Sequence, residues 1–379
     1  MAHPRVAALT AQGTSIWQDD ITRGMLLDGK LAATIKDVGI RGLTSNPTIF
    51  EKAIAGGSDY DDQIGELLKG GKSPEAIFEA VEVKDIQQAC DLFRPLYDSS
   101  NAGDGFCSIE VSPDAARNAD STRSQARRLW ASVDRPNLMV KIPGTLEGAP
   151  VVEQMLTEGI NINITLLFSI ASYEQVALAY VTALEKRLAA GQSVNKISSV
   201  ASFFVSRVDT LVDKLIDDKI AASSDEVEKT KLTSLKGKVA VANAKLAYQK
   251  FQDIFESPRF APLRAAGARP QRPLWASTGT KNAAYPDTLY VDSLIGPDTV
   301  NTVPEKTTAA FLDHGTVART IDSDVAGARK VLADLAAAGI FIDDVTKQLE
   351  EEGIASFIKS FESLLEGVAS KKNALAAAR

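Results

Sequence analysis

NLMVKIPGT, residues 137–145, sets a lysine inside a run that otherwise reads as a buried β-strand, directly before a Pro-Gly break. Side chains alternate faces along a strand, so Met139 and Lys141 share one face and Val140 and Ile142 the other. A strand that is apolar on both faces belongs in a parallel sheet covered by helices. The lysine is the exception to be explained.

Seven further runs of this kind, near 15–19, 41–45, 105–111, 161–166, 198–204, 272–277 and 299–303, alternate with helical stretches. Such alternation marks repeated βα units, and eight strands predict an α/β fold closed as a (β/α)8 TIM barrel with additional helices. At 379 residues the chain is long for one core, but barrels with insertions reach this size, so 1–379 is read as a single barrel domain. Residues 59–100 are too long for one connection and predict two or more helices; a second helical insertion lies near 219–271.

Other stretches carry local signals. In SYEQVALAYVTALEKRLAAG (172–191), Val176, Tyr180, Leu184 and Leu188 form an apolar stripe, Ser172 with Gln175 reads as a capping box, and Gly191 as the stop. SSDEVEKTKLTS (223–234) reads as an exposed helical connection. ESPRFAPLRAAGARPQRP (256–273), with four prolines and four arginines, predicts an extended surface loop whose arginines are solvated. Ile354, Phe357, Phe361, Leu364 and Val368 give the last helix an apolar face to pack on the barrel.

Composition narrows the function classes. Hydrophobic residues make up 45% and charged residues 24%, ordinary for a globular chain able to bury a core. The formal net charge of −7 argues against a nucleic-acid partner, which needs a basic face. Cys90, Cys107, His3 and His314 supply neither a disulfide framework nor a usual zinc cluster, so no metal is expected and a reducing, cytoplasmic setting is. No apolar run approaches the ~18 residues of a membrane helix, and MAHPRVAALTAQGTS lacks a signal core. Monomer and homodimer both fit.

The strand ends share a pattern. NINIT (161–165) places Asn161, Asn163 and Thr165 on one face; the same parity pairs Thr44 with Asn46, Ser108 with Glu110, Val200 and Ser202 with Phe204, and Trp17 with Asp19. Each run is apolar early and polar late, which gathers polar groups at the carboxyl ends of the strands, where barrel active sites lie. Each residue alone has a plainer role. Asn46 before Pro47 fits a helix cap, Asp19 with Asp20 and Thr22 another, Thr165 and Ser202 fit backbone-bonded hydroxyls, and Phe204 fits the core. Cys107 falls on the outward parity and reads as core.

Two readings of Lys141 stand open. A lysine desolvated in apolar surroundings makes its neutral amine accessible, and that amine forms an imine with a ketone that acts as an electron sink for breaking an adjacent carbon–carbon bond. Alternatively it pairs with Glu110 or Asp19, or snorkels to the strand end. Imine chemistry needs proton carriers, for which Asp19 and Glu110 are the inward-facing acids.

With IWQDD (16–20), GLTSNPTIF (42–50), SIEVSP (108–113), NLMVKIPGT, GININITLLFS (159–169) and SFFVSRVD (202–209), the chain resembles transaldolases over nearly its whole length. The resemblance implies transfer of a dihydroxyacetone unit between sugar phosphates without a cofactor. It assigns Lys141 to the Schiff base, Asp19 to acid/base work at the bond broken, and Glu110 to a water near Thr165. Thr44, Asn46 and Asn163 then contact the sugar, and Ser202, Phe204 and Arg207 form the segment where arginine meets phosphate. After the seventh strand some relatives have a second phosphate-binding arginine in Ser-Phe-Arg; here WASTGTKN (275–282) keeps Ser277 and offers Lys281 as the nearest cation. A Schiff-base aldolase acting on fructose 6-phosphate and a non-catalytic sugar-phosphate-binding barrel are the alternatives.

Overall fold

A computed structural model describes residues 2–45 and 47–377. Eight strands close into a barrel in sequence order: β1 (Thr14–Gln18), β2 (Gly42–Leu43), β3 (Phe106–Glu110), β4 (Leu138–Pro143), β5 (Ile162–Leu167), β6 (Ser199–Phe204), β7 (Arg272–Ala276) and β8 (Thr299–Val303). All neighbours are parallel, and β1 closes on β8 through Trp17 opposite Thr302. This is the (β/α)8 barrel expected from the alternation, with each of the eight runs forming its strand.

Side-chain bonds that skip a strand identify the interior face. Asn163 on β5 donates to Ser108 Oγ on β3 at 3.0 Å, across β4, and Thr44 after β2 meets Thr302 on β8 at 2.7 Å, across β1. The opposite parity packs against helices: Phe203 meets Tyr173 and Trp275 edge-on, and Trp275 Nε1 donates to Leu294 O at 3.1 Å.

The amino-terminal end of the barrel is plugged by buried charge. Asp104 accepts from Arg41 Nε at 2.7 Å, Trp17 Nε1 at 3.0 Å and Ser15 Oγ, while Arg272 Nη2 lies 3.3 Å away. Asn161, expected to share the inward face of Asn163, precedes β5 and works at this end: it donates to the carbonyls of Pro136 and Leu138 and accepts from Ser198 N at 2.9 Å, which ties three strand starts together.

Three local expectations are corrected. The helix Ile170–Ala189 is capped by Ser169, whose side chain accepts from Ser172 N at 3.0 Å, so Ser172 lies inside the first turn. Its stripe of Val176, Tyr180 and Leu184 is buried, whereas Leu188 is 40% exposed because the helix has run past its packing partners. The 256–273 segment is not an extended loop: it holds a helix, Ala261–Ala265, with Pro262 tolerated in the first turn, and Phe260 docks edge-on against Phe255 at 5.0 Å. Its arginines are engaged, Arg269 by the carbonyls of Asn101 and Ala102 and Arg272 by the basal plug.

Helices Asp61–Lys69 and Pro74–Ser99 fill the connection from β2 to β3. Ser206–Ala222, Glu226–Thr233 and Val239–Phe255 lie between β6 and β7. The helix Ile342–Ala377 crosses the carboxyl-terminal mouth, where Ser360 meets Thr48 at 2.9 Å and Phe361 stands edge-on to Phe78. At Gly353 the approach is close: a Cβ there would stand 3.0 Å from the end of the Leu166 side chain, a tight contact. Leu166 itself has φ 60° at a register shift between Ile164 and Leu167, a bulge that turns the end of β5.

Asp104→Ala leaves two arginines facing each other without their shared anion, and is expected to cost about 3 kcal/mol in urea unfolding at neutral pH.

Candidate active site

At the carboxyl ends of the strands a cavity of ≈ 270 Å³ is lined on its floor by Asp19, Thr44, Lys141 and Thr165. Lys141 is 6% exposed. Its Nζ donates to Ser45 O at 2.8 Å and stands 3.0 Å from Glu110 Oε2. The second contact is Coulombic, since the ammonium is not aligned on that oxygen, which keeps no hydrogen bond. The pairing with Glu110 is one of the plainer readings of the lysine; it also places an acid at the amine, so the two readings are not exclusive.

The register explains the placement. Glu110 on β3, Lys141 on β4 and Asn163 on β5 are consecutive Cα partners and form one interior layer. Asn163 is fixed on both sides, accepting from Ser202 Oγ at 2.7 Å and donating to Ser108 Oγ, so it holds the layer beneath the cavity and does not line it. Thr165, one layer nearer the mouth, has its hydroxyl buried without a hydrogen-bond partner. A buried hydroxyl left unpaired at the cavity floor is a ready contact for water or substrate.

The two acids stand in different surroundings. Asp19 follows β1 with part of its surface open to the cavity, and its carboxyl accepts from Thr44 Oγ1 at 3.1 Å. Desolvation lifts its pKa to about 6, against the pull of the Lys141 charge and the Thr44 hydrogen bond. Burial likewise raises the Glu110 carboxyl, with Lys141 opposing. Glu110 turns away from the main cavity and lines a separate cleft behind it.

The rim is cationic. Arg207, in the first turn of the helix after β6, lies 5.2 Å over the Phe204 ring and 6.0 Å from Phe357. Burial lowers its pKa while Asp19 raises it; a guanidinium stays charged regardless. Ser277, at φ 55°, bonds Ser206 Oγ at 3.0 Å, and Lys281 is exposed at the edge of the same cavity. Asn46 lies outside the described residues. Cys107 is fully buried, its thiol pushed up by desolvation. Thr22, not Asp19, caps the helix Arg23–Leu27.

Sequence reasoning missed Thr302, Lys52 and Phe357, all of which line the cavity. Thr302 shares the inward parity of Val300 in TVNTV, a signal that was there to use. Lys52 lies in the helix Pro47–Gly56 that directly follows β2, whereas Phe357 is brought in by docking of the last helix and carries no local signal. Among the described residues no group of three or more His, Cys, Asp or Glu side chains is arranged to hold a metal ion, and no helix is long and apolar enough to cross a membrane.

Fold and site together define a (β/α)8 barrel with a lysine-centred site at its strand carboxyl ends. The model of the Transaldolase/Fructose-6-phosphate aldolase family matches residues 16–368, and the chain belongs to that family. It is 49% identical to a protein named Transaldolase from Trichodesmium erythraeum, over 95% of each chain. It is 46% identical to Transaldolase 2 from a Nostoc species over 98% of each chain, and 47% identical to a Transaldolase from Mycolicibacterium smegmatis over 96% of each.

The raised Asp19 value has a sign that can be checked. Its folded pKa of about 6 exceeds the ordinary 3.8, so its contribution to stability falls as pH rises from about 4 to about 6 and is flat above. Asp19→Asn is therefore expected to melt higher than the parent at pH 8, with the advantage vanishing toward pH 4. Turnover should fall by at least about 100-fold, and the acid limb near pH 6 in kcat/KM should disappear.

Proposed function

We propose that Lys141, Asp19, Glu110 and Thr165 carry a transaldolase reaction. The activity moves a dihydroxyacetone unit from sedoheptulose 7-phosphate to glyceraldehyde 3-phosphate, giving erythrose 4-phosphate and fructose 6-phosphate, in the non-oxidative pentose phosphate pathway. The observation that carries the residue assignment is a buried amine held 3.0 Å from one acid and sharing its cavity floor with another whose pKa lies at about 6.

The Lys141 ammonium yields a proton to Glu110 and attacks the ketose carbonyl carbon. A second proton passes from nitrogen to the carbinolamine oxygen, and Glu110 returns the first, so that oxygen leaves as water and the iminium remains. Thr165 steadies that water. Asp19, ionised above pH 6, takes the proton of the hydroxyl carried by the far carbon of the bond to be broken. The bond pair moves into the iminium and leaves an enamine. On arrival of the acceptor aldehyde, the enamine attacks its carbonyl carbon and Asp19 returns the proton to its oxygen. Water then releases the product and regenerates the amine.

Thr44 orients Asp19 through its hydroxyl, and Asn46 and Asn163 are assigned to the sugar hydroxyls. Asn163 keeps a second amide N–H besides the one given to Ser108, and that donor is the one assigned to the sugar. Ser202, Phe204 and Ser277 shape the phosphate end beside Arg207, whose planar fork suits a phosphate, and Lys281 supplies charge where an arginine stands in some relatives. We assign the enzyme to the cytoplasm, as a monomer or homodimer, with 1–379 acting as one barrel domain.

Fructose 6-phosphate alone should give almost no free triose, and addition of erythrose 4-phosphate should start turnover and yield sedoheptulose 7-phosphate. Steady release of dihydroxyacetone without acceptor would favour the aldolase. Lys281→Ala should raise KM for the phosphorylated substrates by about tenfold, the equivalent of 1.4 kcal/mol, with Lys281→Arg restoring it; an unchanged KM removes Lys281 from the phosphate site.

A further inference from the structure

The cleft behind β3 contains an acid that the reaction above does not use. It has a volume of ≈ 240 Å³, with Glu82 and Glu110 among its lining residues. Glu82 is 3% exposed, on the helix Pro74–Ser99, while Glu75 and Arg128 along the same cleft are exposed to solvent. The cleft thus runs from the surface to the carboxylate that touches Lys141.

Two buried carboxyl groups that line one cleft do not both ionise readily, because the first charge raises the cost of the second. Charges around Glu82 reinforce this. On its own helix Glu79 and Asp85 act against a further negative charge, Glu110 does so from β3, and Lys141 on β4 pulls the other way. Across the cleft, from the helix Ala119–Val133, Arg128 is already taken by Glu79, at 2.7 Å from Nη2. Among the described residues, the helix Ile342–Ala377 contributes the Phe361 ring.

We propose that Glu82 and Glu110 share one proton through the working pH range, and that Glu82 is a positioning residue that sets the proton affinity of Glu110 and exchanges its proton with solvent through the rear cleft. During turnover the sugar fills the front cavity. Glu110 takes a proton from the Lys141 ammonium and gives it to the departing hydroxyl, with no net proton consumed. Neutral Glu82 keeps Glu110 ionised against Lys141 at the start of that cycle. When Glu82 loses its proton at higher pH, the added negative charge holds the ammonium on Lys141, and imine formation slows. The inference rests on the assignment of Lys141 and Glu110 as catalytic residues.

The test compares Glu82→Gln, Glu82→Asp and Glu110→Gln in the full-length enzyme, reading kcat and KM for fructose 6-phosphate with erythrose 4-phosphate from pH 6 to 10, with melting temperature as the control for folding. Glu82→Gln has the shape of the neutral acid without its exchangeable proton. The expected result is KM and neutral-pH kcat within about twofold of the parent, and an alkaline limb that no longer falls at the parent's pH. Glu82→Asp, which can ionise again, should return the alkaline limb. Parental kcat with an unshifted profile in Glu82→Gln, or kcat and KM changed together with a profile of parental shape, overturns the proposal. Loss of activity in Glu110→Gln alongside an unaffected Glu82→Gln defeats only the role of Glu82. Retention of activity in Glu110→Gln defeats the reading on which it rests.

Discussion

A primary ammonium inside a barrel must be matched by something, and here it is matched sparingly. Lys141 has a backbone carbonyl at 2.8 Å and an unaligned carboxylate oxygen at 3.0 Å. A buried ion pair with full hydrogen bonding holds its charges firmly; one with an oxygen left unbonded holds them less firmly, and a rotation of the ammonium brings a proton onto that acid. The rest of the upper barrel follows from keeping this contact in place. The layer Glu110, Lys141 and Asn163 fixes it laterally, and the chain of bonds from Ser202 through Asn163 to Ser108 locks the amide beneath it.

The two ends of the barrel use buried charge in opposite ways. At the amino end Asp104 is saturated by Arg41, Trp17 and Ser15, which serves rigidity. At the carboxyl end Asp19 has Thr44 and a cavity, and its raised pKa records an anion that is incompletely compensated. Such a group lowers stability above its pKa and gains a proton affinity useful for catalysis near neutral pH. The rigid plug supplies the frame on which the compromised end is held.

What the sequence made legible was what a local period encodes. Strands whose polar residues keep one parity, such as those carrying Glu110, Lys141 and Thr165, announce both their faces and their polar ends, because alternation is a property of each strand alone. The capping box assigned to Ser172 failed because Ser169, three residues earlier, offers an extended backbone and a hydroxyl at the right place. The predicted loop at 256–273 failed because Phe260 finds Phe255, a contact that no window of sequence contains. Phe357 and Glu82 were missed for the same reason: helices distant in sequence deliver them to the front cavity and the rear cleft.

The central claim is that Lys141 becomes covalently bound to the ketose. Reduction with borohydride in the presence of fructose 6-phosphate, followed by peptide mapping by mass spectrometry, tests it most directly. The account predicts a reduced triose or hexose adduct on the fragment containing 137–145, absent from Lys141→Met, which also loses group transfer. An adduct confined to Lys52 or Lys281, or transfer at the parental rate in Lys141→Met, would contradict it.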